Sequence, residues 1–268
     1  MSSGYSLEED MALLRSAVSD GAALARHFFE TGAQSWNKSR GEPVTEADLA
    51  VDSLLKDRLL KARPNYGWLS EETADDPARL ALRRLWIVDP IDGTRSFIKQ
   101  QDKWTVCGAL IADSRPIAGV VMNPMTEELF EARDAGGAFC NGAPIHISER
   151  AELDGARMIG TREFYAHPSW SEPWPESLSF DNPNSLAYRL CLVARGERDA
   201  ALRLFTCHEW DIAAADIIVR EAGGLMTRHD GTPLTYNQPV PHQKSFIASG
   251  PRLYPELRRR MAAMQPRA

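Results

Sequence analysis

Leu85-Trp86-Ile87-Val88-Asp89-Pro90-Ile91-Asp92-Gly93-Thr94 decides how the rest of the chain is read, because an apolar run of strand type ends in two carboxylates, a glycine and a threonine. A strand that ends this way turns sharply at Pro90 and aims Asp89 and Asp92 into one space, where hard oxygen ligands suit Mg²⁺. Gly93 lets the backbone come close to a ligand, and a short helix over 94–98 would turn unpaired amides to the same space and favour an anion. The plainer alternative is a loop in which Asp92-Gly93 is a turn and Asp89 a cap.

Outward from this stretch, the composition is that of a globular enzyme. The 268 residues are 43% hydrophobic, enough to bury a large core in one domain or two intimate halves, with no linker between them. A net charge of −6 without a clustered Lys/Arg run argues against nucleic acid or an anionic membrane as the main partner. No basic region precedes an apolar one near the N-terminus and no apolar run approaches a membrane span, so the expected location is the cytoplasm. Cys107, Cys140, Cys191 and Cys207 contain no Cys-x-x-Cys pair and read as buried free thiols rather than zinc ligands or a redox dithiol.

Leu7, Met11, Leu14, Val18, Ala25 and Phe28 recur at helical spacing behind a Ser6-x-x-Glu9 capping box, and Gly32 follows the end. Thr45-x-x-Asp48 opens a second helix whose apolar side is Leu49, Leu54, Leu55 and Leu59, stopped at Arg63-Pro64. The polar stretch 36–43 between them reads as irregular and mobile. Strand-like runs over 85–88, 105–112, 116–122, 128–132 and 143–147 suggest one large antiparallel sheet. Beyond residue 155, strands over 157–161, 200–205, 224–227 and 245–249 alternate with helices over 185–195, 211–221 and 254–264. The four prolines and two tryptophans of 168–183 read as an irregular loop bordering a substrate.

Further motifs carry a resemblance. Val44-Thr45-Glu46-Ala47-Asp48, Ser70-Glu71-Glu72-Thr73, Gly137-Ala138-Phe139-Cys140-Asn141-Gly142, Trp210-Asp211-Ile212-Ala213-Ala214-Ala215 and Glu221-Ala222-Gly223-Gly224 occur in order around Asp89–Thr94. Together they resemble the inositol monophosphatase family through most of the chain. The resemblance implies an α+β fold, a layered α-β-α-β-α sandwich. Residues 1–150 would form a helix pair and a large sheet carrying most ligands, and residues 151–268 an α/β half closing the site. It also implies metal ligation by Glu71, Asp89, the Ile91 carbonyl, Asp92 and Asp211, with two or three Mg²⁺ ions. Glu71 and Thr94 would orient the attacking water, Asp48 would serve a third, weaker metal, and the amides of Gly93 and Thr94 would hold phosphate. Glu72 would lie behind these, with Lys38 on a mobile loop beside them. Read alone, Glu71-Glu72 is a solvated acidic pair, Asp211 a helix N-cap, and Trp210, His208 and Glu209 are packing and loop support.

Aspartyl-phosphate enzymes of the haloacid dehalogenase type carry Asp-x-Asp-x-Thr, and here two residues rather than one separate the aspartates. Leu204 stands where inositol-specific members carry a glutamate, while Ser96 and Ser70 replace a common Asn and Gly. The helix from Ser185 matches the one lining the leaving-group pocket, which makes Ser185 and Arg189 substrate candidates; Arg189 stands where the bacterial 3′(2′),5′-bisphosphate nucleotidase branch has a lysine. That reading leads, with inositol-phosphate or histidinol-phosphate phosphatase as the alternative and a non-catalytic role of the extragenic suppressor type as a third. A homodimer and lithium sensitivity are implied by the resemblance alone.

Overall fold

Capping fixes where the first helices begin in the computed structural model, which describes residues 4–38, 41–262 and 264. Ser6 and Glu9 bond reciprocally at the start of α1 (Leu7–Thr31). The ends of the stretch expected to be irregular are instead paired, β1 (Ser35–Asn37) antiparallel with β2 (Pro43–Thr45); Ser39 and Arg40 lie outside the described residues. Thr45 and Asp48 then cap α2 (Glu46–Ala62), which stops at Arg63 before Pro64. Leu49, expected on the apolar side of α2, is 44% exposed, whereas Asp48 and Asp52 are buried. The inner face of α2 is mixed because its first turn backs the site described below.

β3 (Gly67–Ser70), β4 (Arg84–Asp92), β5 (Thr105–Ala112), β6 (Arg115–Asn123), β7 (Glu128–Arg133), β8 (Ala138–Cys140) and β9 (Ala143–Pro144) form a seven-stranded sheet in sequence order. β3 runs parallel to β4 and the remaining neighbours are antiparallel. The four-residue β3 and three-residue β8 had no legible pattern, and the strand expected over 143–147 shrinks to two residues. Alternation along β4 is strict: Leu85 and Ile87 enter one apolar cluster, Trp86 and Val88 the other.

Pro90 does not end the strand. β4 continues to Asp92 with a bulge, so that Asp89 lies opposite Cys107 and Asp92 opposite Thr105. Three residues of β4 therefore span what two span on β5, and the extra residue brings Asp89 and Asp92 to the same face. α3 (Thr94–Ile98) follows at once, entered through Gly93 at φ +98°. A Cβ there would meet Ser185 N at 3.2 Å and Lys103 O at 3.3 Å, so the glycine is required by backbone conformation and close packing. Phe97 anchors α3 edge-on against Trp104 and Phe29, with ring centroids 5.0 and 5.4 Å away.

The C-terminal half contains β10 (Arg157–Ile159), α4 (Arg162–Tyr165), β11 (Ser179–Asp181), α5 (Leu186–Ala194), β12 (Ala200–Arg203), β13 (Cys207–His208), α6 (Ala213–Glu221), β14 (Leu225–Thr227), β15 (His242–Gln243), β16 (Phe246–Ser249) and α7 (Tyr254–Met261). A second sheet has the order β11-β10-β12-β16-β14, and β13 pairs with β15. Three apolar clusters define the layers. α1 and α2 pack on one face of the seven-stranded sheet; α5 and α6 fill the space between its other face and the second sheet; α7 covers the far side with Tyr165 and Trp174. At Gly119 of β6 an added Cβ would lie 2.4 Å from Ala214 O, so α6 rests directly on the sheet. This is the layered α-β-α-β-α arrangement expected above. All four cysteines are free and buried, and no helix among the described residues is long and apolar enough to cross a membrane.

Candidate active site

The bulged end of β4 opens into a cavity of about 380 Å³ lined by Lys38, Glu71, Asp89, Ile91, Asp92, Gly93, Thr94, Asn184, His208, Trp210 and Asp211 among others. Five distant segments thus meet there. Asp92 is held from the C-terminal half: its Oδ2 accepts from Ser185 Oγ at 2.7 Å and from Ala187 N at 2.6 Å, at the start of α5. Asp211 does not cap α6. Ile212 occupies that position, and Asp211 Oδ2 points back to accept from His208 N at 2.8 Å, which turns the carboxylate toward the cavity. Thr94 Oγ1 donates to the Ile91 carbonyl at 3.0 Å or Asp48 Oδ1 at 3.3 Å. Asp48 lies behind the cavity wall, buried, its Oδ2 accepting from Thr45 N and Oγ1. Lys38 Nζ donates to Glu72 Oε1 at 2.7 Å and to Glu71 Oε1 at 3.4 Å, tying the hairpin to both glutamates.

The carboxylates repel one another. Burial, reinforced by Glu72 and Asp211, pushes Glu71 up to about 8 despite Lys38. Asp211 is pushed up to about 7 by burial and Asp92. Asp89 is held well above the usual carboxylate range by burial and by Glu71, Asp92 and Asp211, and its Oδ1 is buried without a hydrogen-bond partner. Among the described residues no three His, Cys, Asp or Glu side chains converge tightly enough to ligate one ion as they stand. The donor set nevertheless fits a hard divalent cation. It is all oxygen, its charges lack adequate compensation, and one of its oxygens has no bond to lose.

A second, larger cavity of about 600 Å³ adjoins the first, sharing Arg95 and Asn184, and is lined also by Lys99, Asp102, Lys103, Asp181, Asn182 and Arg189. Among the described residues Arg95, Lys99 and Arg189 form no ion pair within 4 Å, although Arg189 feels the charges of Asp92 and Asp181, and Lys103 Nζ is 3.9 Å from Asp181, which Arg198 already binds at 2.7 Å. The guanidinium of Arg189 reaches the carbonyls of Pro183 and, at 3.5 Å, Asn184. Burial draws its pKa down. Ser185, expected to face a substrate, is fully buried behind Asp92, because its hydroxyl caps α5 and binds that carboxylate. Arg95, Lys99, Lys103 and Asn184 were not singled out by sequence as a group; the only trace was the density of cations around Ser96.

Residues 7–263 match the inositol monophosphatase family pattern. The chain is 31% identical to the 3′(2′),5′-bisphosphate nucleotidase CysQ of Aggregatibacter actinomycetemcomitans, covering 83% of this chain and 84% of the relative. It is 35% identical to a histidinol-phosphatase of Mycobacterium tuberculosis and 32% identical to an inositol-1-monophosphatase of Rhizobium meliloti, each over 82% of this chain and 85% of the relative. The structure of the extragenic suppressor protein suhB from Bartonella henselae superposes with a TM-score of 0.80 over 94% of this chain and 97% of that one, at 26% identity. Named relatives with three different substrates agree on phosphate-ester hydrolysis, and the family is generally metal-dependent. With that agreement over nearly its whole length, the chain belongs to the inositol monophosphatase family of phosphomonoesterases.

Proposed function

We propose that this protein is a Mg²⁺-dependent phosphomonoesterase whose substrate carries a second anionic group, with a 3′(2′),5′-bisphosphate nucleotide the leading candidate. The observation that supports it is the juxtaposition of an acidic cavity and a basic one across Arg95 and Asn184. A single phosphate on a polyol needs only the first. A second phosphate would find Arg189, Arg95, Lys99 and Lys103 largely free of carboxylate partners.

Glu71, Asp89, the Ile91 carbonyl, Asp92 and Asp211 would hold the cations, as the lining of the cavity suggests. Bound there, Mg²⁺ would supply a water made more acidic and a counter-charge for the phosphoryl oxygens. The chain's own part is positioning. Ser185 and Ala187 aim Asp92 and oppose the rise that burial gives its pKa, Thr94 holds the Ile91 carbonyl or Asp48 with the same hydroxyl, and the amides of Gly93 and Thr94 would donate to phosphate oxygens. Hydrolysis of 3′-phosphoadenosine 5′-phosphate, inositol 1-phosphate and histidinol phosphate with and without Mg²⁺ tests the reading. A preference for the first, with Arg189→Ala weakening that substrate alone, is expected. Equal use of all three, or a preference for either monoester, would sink the second-anion part.

A further inference from the structure

A fully buried arginine joins the two loops that carry Glu71 and Asp211. Arg79 lies in a 3-10 helix, Pro77–Ala81, just after the Glu71-Glu72 loop, and is 1% exposed. Its guanidinium is used on two sides. Nε and Nη2 grip Asp75 at 2.6 and 2.8 Å, closing the Glu71 loop on itself; Nη1 donates to Asn237 Oδ1 at 2.6 Å and Nη2 to the Gln238 carbonyl at 3.0 Å. The amides of Asn237 and Gln238 donate in turn to the two oxygens of Glu209, at 2.7 and 3.1 Å. Glu209 is itself fully buried, two residues before Asp211, and its carbonyl accepts from Ile212 and Ala213 as α6 begins. Asn237 sits at φ +61°, a left-handed conformation that lets its side chain and amide serve Arg79 and Glu209 together.

We propose that Arg79 is a positioning residue that, through Asn237 and Glu209, holds the Glu71 loop and the Asp211 turn at one separation, so that the cation sites to which Glu71 and Asp211 contribute keep their spacing. The proposal rests on the reading of Glu71 and Asp211 as cation ligands. Lysine in place of Arg79 keeps the charge but cannot serve Asp75, Asn237 and Gln238 at once. Glycine in place of Asn237 keeps the left-handed backbone and removes only the bridging amide.

The test is Mn²⁺ titration of the whole protein, read by loss of the free-ion electron paramagnetic resonance signal, on wild type, Arg79→Lys, Asn237→Gly and Arg63→Lys. Arg63 is a comparably buried control whose partner, Asp10 at 2.6 Å, belongs to neither loop. Arg79→Lys is expected to weaken Mn²⁺ binding about tenfold, and Asn237→Gly about threefold, scaled to the loss of one or two buried hydrogen bonds. Arg63→Lys should leave metal affinity within about twofold of wild type, whatever it does to the melting temperature. Affinities in Arg79→Lys and Asn237→Gly equal to wild type would overturn the proposal, as would an equal loss in Arg63→Lys. If Arg79→Lys does not fold, the Asn237→Gly comparison decides alone. A wild type that binds no Mn²⁺ overturns the cation reading and the positioning role together.

Discussion

The acidic and basic cavities share a wall, yet they are built in opposite ways. In the acidic one every carboxylate except Asp89 is fastened by the protein: Asp92 by α5, Asp211 by the His208 amide, Glu71 by Lys38. Its members come from five segments, fixed by two sheets and the helices between them. In the basic one Arg95 and Lys99 project from exposed positions on and just after α3, and Lys103 is 45% exposed at its side chain. Preorganised groups stabilise charge without reorganising when a reaction occurs, whereas long exposed side chains lose entropy on binding and adapt to what arrives. On the proposed function, the reaction would be carried by the rigid region and the choice of substrate by the adaptable one. Relatives that share the reaction and differ in substrate fit that division.

Removing a fastened carboxylate is the most direct way to break the contrast. Asp92→Asn is expected to lower kcat by about a thousandfold with little change in melting temperature, measured by phosphate release and calorimetry. Arg189→Ala should instead raise KM for a bisphosphate about thirtyfold, leave inositol 1-phosphate within about twofold, and spare kcat. Should Arg189→Ala lower kcat on both substrates equally, the basic cavity would belong to the reaction and not to selection.

Ser185→Ala sharpens the comparison by loosening one fastening without removing the charge. With a cation holding Asp92 as the carboxylate, the lost bond would contribute about 2 kcal/mol, so activity should fall about thirtyfold at fixed Mg²⁺ and recover in part at high Mg²⁺. pH acts on the acidic cavity in the same sense. Glu71 and Asp211, pushed up to about 8 and about 7, hold protons more tightly folded than unfolded. Their contribution to stability in metal-free protein is therefore greatest below the unfolded carboxylate range near pH 4 and is lost as pH rises through 7 to 8. Metal-free protein should melt several degrees lower at pH 8.5 than at pH 5.5, and saturating Mg²⁺ should narrow that gap, by thermal melts at constant ionic strength. The smallest effect expected is on the exposed cations: between 50 and 300 mM NaCl, KM for a bisphosphate should rise about threefold while that for a polyol monophosphate moves less.

What the sequence revealed follows the same boundary. Both capping boxes and β5 were legible, because local hydrogen bonding and period-two alternation fix them within a few residues of themselves. The carboxylates were legible as residue types in a familiar order. Their support was not. Ser185 behind Asp92, Asp48 behind Thr94 and Glu209 beneath the 237–238 loop are side chains whose partners lie 28 to 93 positions away. Nothing local distinguishes a serine that faces a substrate from one that faces a carboxylate. The same blindness hid the basic cavity, assembled from 95–103 and 181–189, and made Pro90 read as a corner when the chain runs on through it.

That continuation gives residue number a role apart from residue identity. Between Asp89 and Asp92 the chain carries one residue more than its neighbour, and the parity of the strand changes there. Upstream of the bulge, even and odd positions are committed to the two cores; downstream, the assignment is inverted. Deleting Pro90 alone would leave every functional side chain in the gene and keep Asp89 and Asp92 on one face, yet it would remove the bulge and with it the bend that presents Ile91 to the cavity. For this stretch length shapes the site as surely as the letters do.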